Sequence, residues 1–142
     1  MTENEDKRDN LTKRIDTIEE AYEFMLAYAA QGRQGDEESG KGDNIRTFLE
    51  RADAALEGLG ADCAAIFENH GVSSAGDHRK FLEVFSQDVQ KAQAAIRLVL
   101  ALPSISSQLI DNLNASIHLR TLLTDLFLID ETLKITDKSL KS

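Results

Sequence analysis

Apolar residues recur along this chain at the three- and four-residue spacing of α-helices in four long segments, and no useful stretch alternates with the period of a strand. In residues 9–32, Leu11, Ile15, Ile18, Tyr22, Met25, Leu26 and Ala29 share one face, while Asp16, Glu20 and Glu23 lie on another. Gly32 supplies a stop. The tract from Gly35 to Asp43 has three glycines and no apolar residue, which predicts a mobile surface loop. The second helix starts at Asp43 or Asn44, either of which can accept from the free amides of a first turn. Ile45, Phe48, Leu49, Ala52, Leu56, Leu59, Cys63, Ile66 and Phe67 keep one stripe to about Asn69. That continuity favours a single helix through Gly58 and Gly60, with close approach of a neighbouring helix explaining the glycines. Two short helices broken at Gly58 to Gly60 are the alternative.

Gly71 ends this segment, and Ser74 to Asp77 reads as a capping box for the third helix. Phe81, Leu82, Phe85, Val89, Ala92, Ile96, Val99 and Leu100 form its stripe. Pro103 stops that pattern, and Ser104 can cap a fourth helix reaching Thr136. Here the apolar face changes direction. Ile105, Leu109, Ile110, Leu113 and Ile117 form one stripe, whereas Leu119, Leu122, Leu123, Leu126, Ile129 and Leu133 centre on a line roughly 120–140° around the axis.

Four helices with short connections predict an all-α protein, an antiparallel up-down-up-down four-helix bundle with a long C-terminal helix. Residues 1–9 read as a disordered tail, 10–136 as the bundle and 137–142 as a flexible tail. No proline or glycine stands between Ile117 and Leu119 to kink the last helix. A straight helix whose second half meets another chain therefore predicts a homodimer through Leu119, Leu122, Leu126, Ile129 and Leu133. Phe24 and Tyr28, one turn apart and off the first helix's stripe, either widen its core face or join an interface.

Composition narrows the class. The chain has 142 residues, about one domain, and its single cysteine, Cys63, cannot form an intramolecular disulfide. With a polar N-terminus lacking an apolar leader core, this predicts a cytoplasmic protein. Arg120, Asp125, Asp130 and Glu131 interrupt the last apolar run, which excludes it as a membrane span. The net charge of −9 lies wholly in residues 1–71, which hold eight Lys/Arg against seventeen Asp/Glu, while residues 72–142 are neutral. Such a field disfavours nucleic acid and leaves a protein as the expected partner.

Catalytic and cofactor chemistry finds little purchase. Glu19, Glu20 and Glu23 are dense in carboxylate, but no Glu-x-x-His accompanies them and Glu20 and Glu23 point away from the stripe, so no di-iron site is expected. Glu68 and His70 with Asp77 and His78 flank one connection without a defensible metal spacing. Cys63, central in its stripe, reads as a buried inert thiol. Met25 and His118 stand at similar heights for a haem, yet face different directions. No cofactor or metal is expected.

One short motif stands out. Asn114, Ser116, Leu119, Arg120, Thr121, Leu123 and Thr124 match a pattern in which Ile117, His118 and Leu122 replace histidine, an acidic residue and proline. This segment of eleven residues resembles the H-box of sensor histidine kinases. The resemblance implies a dimerising scaffold related to phosphorelay proteins that is not phosphorylated at the family's position, with His118 as a phosphoacceptor only if the helix turns by one residue. The leading expectation is an adapter or regulator acting by protein–protein interaction; the alternatives are phosphotransfer and a ligand- or metal-binding bundle.

Overall fold

The computed structural model of the chain describes residues 3–37, 44–71 and 76–141. Six helices occur among them and no strand: α1 (Glu3–Ala29), α2 (Ile45–Leu56), α3 (Leu59–Asn69), α4 (Asp77–Leu100), α5 (Ser107–Ile117) and α6 (Leu119–Lys141). Helices α1 and α4 each pack against α2, α3, α5 and α6, so the α2–α3 and α5–α6 pairs flank a shared middle. A continuous apolar core runs through all six. None of the described helices is long and apolar enough to cross a membrane.

The first and last described residues are more helical than the composition of the tails predicts. Helix α1 begins at Glu3, so residues 3–9, expected to belong to a disordered tail, are helical; Glu3, Glu5 and Asp6 favour the positive end of the helix dipole, and Lys7 pairs with Glu3 one turn earlier. Arg8 reaches across to Asp130 on α6 at 3.4 Å. Toward the other end α6 runs through Lys141, so residues 137–141, expected to belong to a flexible tail, are helical. The expected capping box at Ser74 and most of the 35–43 loop lie outside the described residues.

The second rod breaks after Leu56. Gly58 adopts the left-handed conformation (φ 65°), which glycine enters without steric cost, and α3 starts at Leu59. Gly60 serves the other purpose read from the sequence: a Cβ there would lie 2.9 Å from the backbone Cα of Ser86, so α3 and α4 touch through it. Because Leu56 and Leu59 are both fully buried, the stripe survives the break. The corner is braced from two sides. Arg14 of α1 donates to the carbonyls of Ala55 and Glu57 and pairs with Asp62 at 2.6 Å. From α4, Gln93 bonds the Asp53 carbonyl and the Glu57 carboxylate, and Arg97 pairs with Asp53 and Glu57.

The fourth helix expected from the sequence is also broken, and here the straight helix predicted is wrong. Ser106, not Ser104, caps α5 by accepting from the Leu109 amide at 3.0 Å. His118 ends α5 in the left-handed region (φ 47°, ψ 52°), and α6 begins at the next residue. It is the only non-glycine residue with positive φ among those described. This conformation costs a residue with a side chain roughly 1–2 kcal/mol. It also re-aims the chain, so that both stripes enter one core: Ile110, Leu113 and Ile117 are buried, and so are Leu119, Leu122, Leu126, Ile129 and Leu133.

Candidate functional site

The five residues expected to meet a second chain are instead core residues of their own. Leu119, Leu122, Leu126, Ile129 and Leu133 are each at most 2% exposed, packed between α6 and its neighbours α1 and α4. The left-handed turn at His118 does within one chain what a straight helix would have needed a partner to do. Phe24 and Tyr28 likewise face inward. Phe24 stacks on Phe48 of α2 with ring centroids 4.2 Å apart, and Tyr28 is buried with its hydroxyl donating to the Ile105 carbonyl at 2.5 Å. Burial raises the Tyr28 phenol above its ordinary pKa.

The side of α6 that remains open is the opposite one. Phe127, Leu128 and Ile135 are 51%, 54% and 60% exposed, and Thr124 and Glu131 lie between them on the same outward arc, with Arg120 one turn before. At 100° per residue these positions span roughly 100° of the helix circumference, on the far side from the core stripe. A stripe of this kind was hidden in the sequence, because the stronger leucine stripe dominates the periodicity and only its burial shows which apolar positions are left over.

Along the seam between α6 and α4 the surface changes character. At one end Phe67, Phe81, Leu128 and Thr132 line an apolar recess of about 230 Å³. At the other, Asp88, Lys91 and His118 stand with Ile117 and Leu122 around a recess of mixed character, about 280 Å³ in volume. Asp125 stands between them. Burial pushes its carboxyl above the ordinary carboxylate pKa, and the nearby Asp88 charge pushes it the same way. A wider groove of about 560 Å³ lies between α3 and α4, with Gly60, Ala61 and Ala64 on its α3 side.

His118 is exposed and lines the recess of mixed character, and no hydrogen bond to its ring occurs among the described residues. Among the described residues no carboxylate is hydrogen-bonded to the imidazole to orient it as a phosphoryl acceptor would require. The helix break also divides the H-box-like segment 114–124, whose family counterpart lies on a helix that pairs and dimerises. His70 and His78 go separate ways: His70 bonds the Ile66 carbonyl at 2.9 Å and faces Arg8, while His78 sets its edge against Phe67. Among the described residues no three His, Cys, Asp or Glu side chains gather where they could hold a metal ion. Cys63 is buried, and burial pushes its thiol up to about 12, which keeps it protonated and unreactive.

This chain matches no protein-family model, no curated protein and no solved structure. Its functional reading therefore rests on its own geometry.

Proposed function

We propose that this chain is a protein-interaction module, an adapter or regulator built on four rods running up-down-up-down, which forms a homodimer through its last helix. The dimer face is the outward arc of α6 in place of the buried leucines. The observation that carries the reading is the exposure of Phe127, Leu128 and Ile135 on one side of a helix whose other side already fills the core. Three large apolar side chains along two turns are more than scattered surface residues need explain.

Charge selects the occupant. Between Arg120 and Ile135 the outward arc carries one cation, Arg120, and one anion, Glu131, and it lies in the neutral half of the sequence, so a second copy of the same arc meets it without a net like charge. An antiparallel twofold crossing between Phe127 and Leu128 places those side chains at its centre. At 1.5 Å per residue it brings each Arg120 within about 6 Å, along the axis, of the level of the partner's Glu131.

Light scattering tests this directly. The wild-type chain is expected at twice its 15.7 kDa mass at micromolar concentration, and Leu128→Lys with Ile135→Lys at one times that mass with unchanged helical circular dichroism. A wild-type chain that remains monomeric at that concentration would defeat the proposal.

A further inference from the structure

The two helix breaks of this fold are built differently, and the difference points to a hinge. At Gly58 the left-handed residue is glycine and the corner is tied by Arg14 from one side and by Gln93 and Arg97 from the other. At His118 the residue carries a side chain, and among the described residues no side-chain hydrogen bond or ion pair joins α5 to α6. One turn earlier Asn114 Oδ1 is buried without a hydrogen-bond partner. The connection is a single residue. Its carbonyl accepts from Thr121 and Leu122, and its own amide already bonds the Asn114 carbonyl as it would in a continuous helix.

Moving His118 into ordinary helical φ and ψ joins α5 and α6 into one rod and lets the amides of Leu119, Arg120 and Thr121 bond the carbonyls four residues back. No proline or glycine obstructs that rod between Ser104 and Ser139. Straightening withdraws the stripe of Leu119, Leu122, Leu126, Ile129 and Leu133 from the space between α1 and α4. A second copy offers the same space, with the same contacts, including Arg8 for Asp130. Short, strained connections invite this exchange because the closed chain loses nothing but the strain.

We infer that His118 is the hinge of an exchanged dimer, in which α6 of each copy fills the groove between α1 and α4 of the other. The inference rests on the homodimer proposed above and adds a second way for the same two copies to join, an exchange of helices reached on refolding at high concentration. Both the sequence pattern of one long helix and the broken helix of the folded chain are then states of the same segment.

Hinge substitutions and a cross-link separate the alternatives. In a Cys63→Ala background, Arg8→Cys and Asp130→Cys are joined by a short bis-maleimide after refolding at high concentration, and the product is read on a denaturing gel. Exchange links two chains; the closed chain links only to itself, in a monomer or in an outward-face dimer alike. The linked-dimer fraction is expected to fall when His118→Gly removes the left-handed strain and to rise with His118→Ala, the two differing in dimerisation constant by about tenfold or more. Only intrachain links in all three proteins, with a doubled native mass, overturn the exchange and leave the outward-face dimer standing. Only intrachain links with a monomeric mass overturn both.

Discussion

Asp36 and Arg46 lock the connection after α1 to the start of α2, the Asp36 Oδ2 accepting from Arg46 Nε at 2.6 Å. The other carboxylate oxygen takes the Ile105 amide at 2.9 Å, and the Arg46 guanidinium continues to the Leu100 and Leu102 carbonyls at the end of α4. Two connections, α1 to α2 and α4 to α5, thus share one ion pair. Burial pushes the Asp36 carboxyl up, but the Arg46 bond and the Ile105 amide together outweigh it and hold the pKa below its ordinary value.

A carboxyl whose pKa is lowered by folding contributes stability above its unfolded value, and that contribution is lost as pH falls through the folded one. Asp36→Ala is expected to cost about 2–3 kcal/mol at neutral pH, the loss of charge-assisted bonds from a largely buried acceptor, and less in acid. Urea titrations at neutral pH and at pH below the carboxylate range check it; equal losses at both would contradict the assignment.

Gly60→Ala tests the contact between α3 and α4. Alanine favours a helix over glycine by about 1 kcal/mol, but its methyl group would meet the Ser86 backbone, and overpacking of that kind costs roughly 1–3 kcal/mol. A net loss of stability is expected. Ser86→Ala should not rescue it, since the clash includes Ser86 Cα.

Stability also distinguishes the two sides of α6. Leu126→Ala should destabilise the chain by about 2–5 kcal/mol, as a buried leucine does when it leaves a cavity. Phe127→Ala, measured on dilute protein where assembly is absent, should stay within about 0.5 kcal/mol of wild type.

Cys63 offers a kinetic check. Its burial and raised pKa predict that a thiol reagent at mildly alkaline pH modifies it only through opening of the core, so the labelling rate should rise with urea in step with the unfolded population. Complete reaction within the mixing time of native protein would show the thiol to be accessible.

Helix periodicity made most of the core legible: most of the stripes of α1, α2 with α3, and α4 is buried, although Leu26 of the first stripe is 45% exposed and Tyr22, Phe48, Phe81 and Leu100 are only partly covered, and Asn44 caps α2 by accepting from the Thr47 amide at 3.1 Å. His118 could not be read the same way, because left-handed residues are foreseen through glycine and a histidine carries no such mark. The outward face of α6 was missed for the same reason, since its direction depends on the turn at His118. Tyr28 was legible as an off-stripe aromatic, but its role was not. Ser107 Oγ donates to the Tyr28 carbonyl at 2.6 Å and accepts from the Arg33 amide at 2.8 Å, contacts between residues more than seventy positions apart that no local pattern encodes.

Arg14 gives the corner at Gly58 a dependence on timing. The carbonyls it satisfies lie at Ala55 and Glu57, some forty residues later in the chain, and α2 has no basic side chain of its own in its last turn. A peptide holding only residues 44–71 would have to leave those carbonyls to water. The corner is completed only once α1 has docked, so these two stretches, distant in sequence, mature together as one cooperative unit during folding.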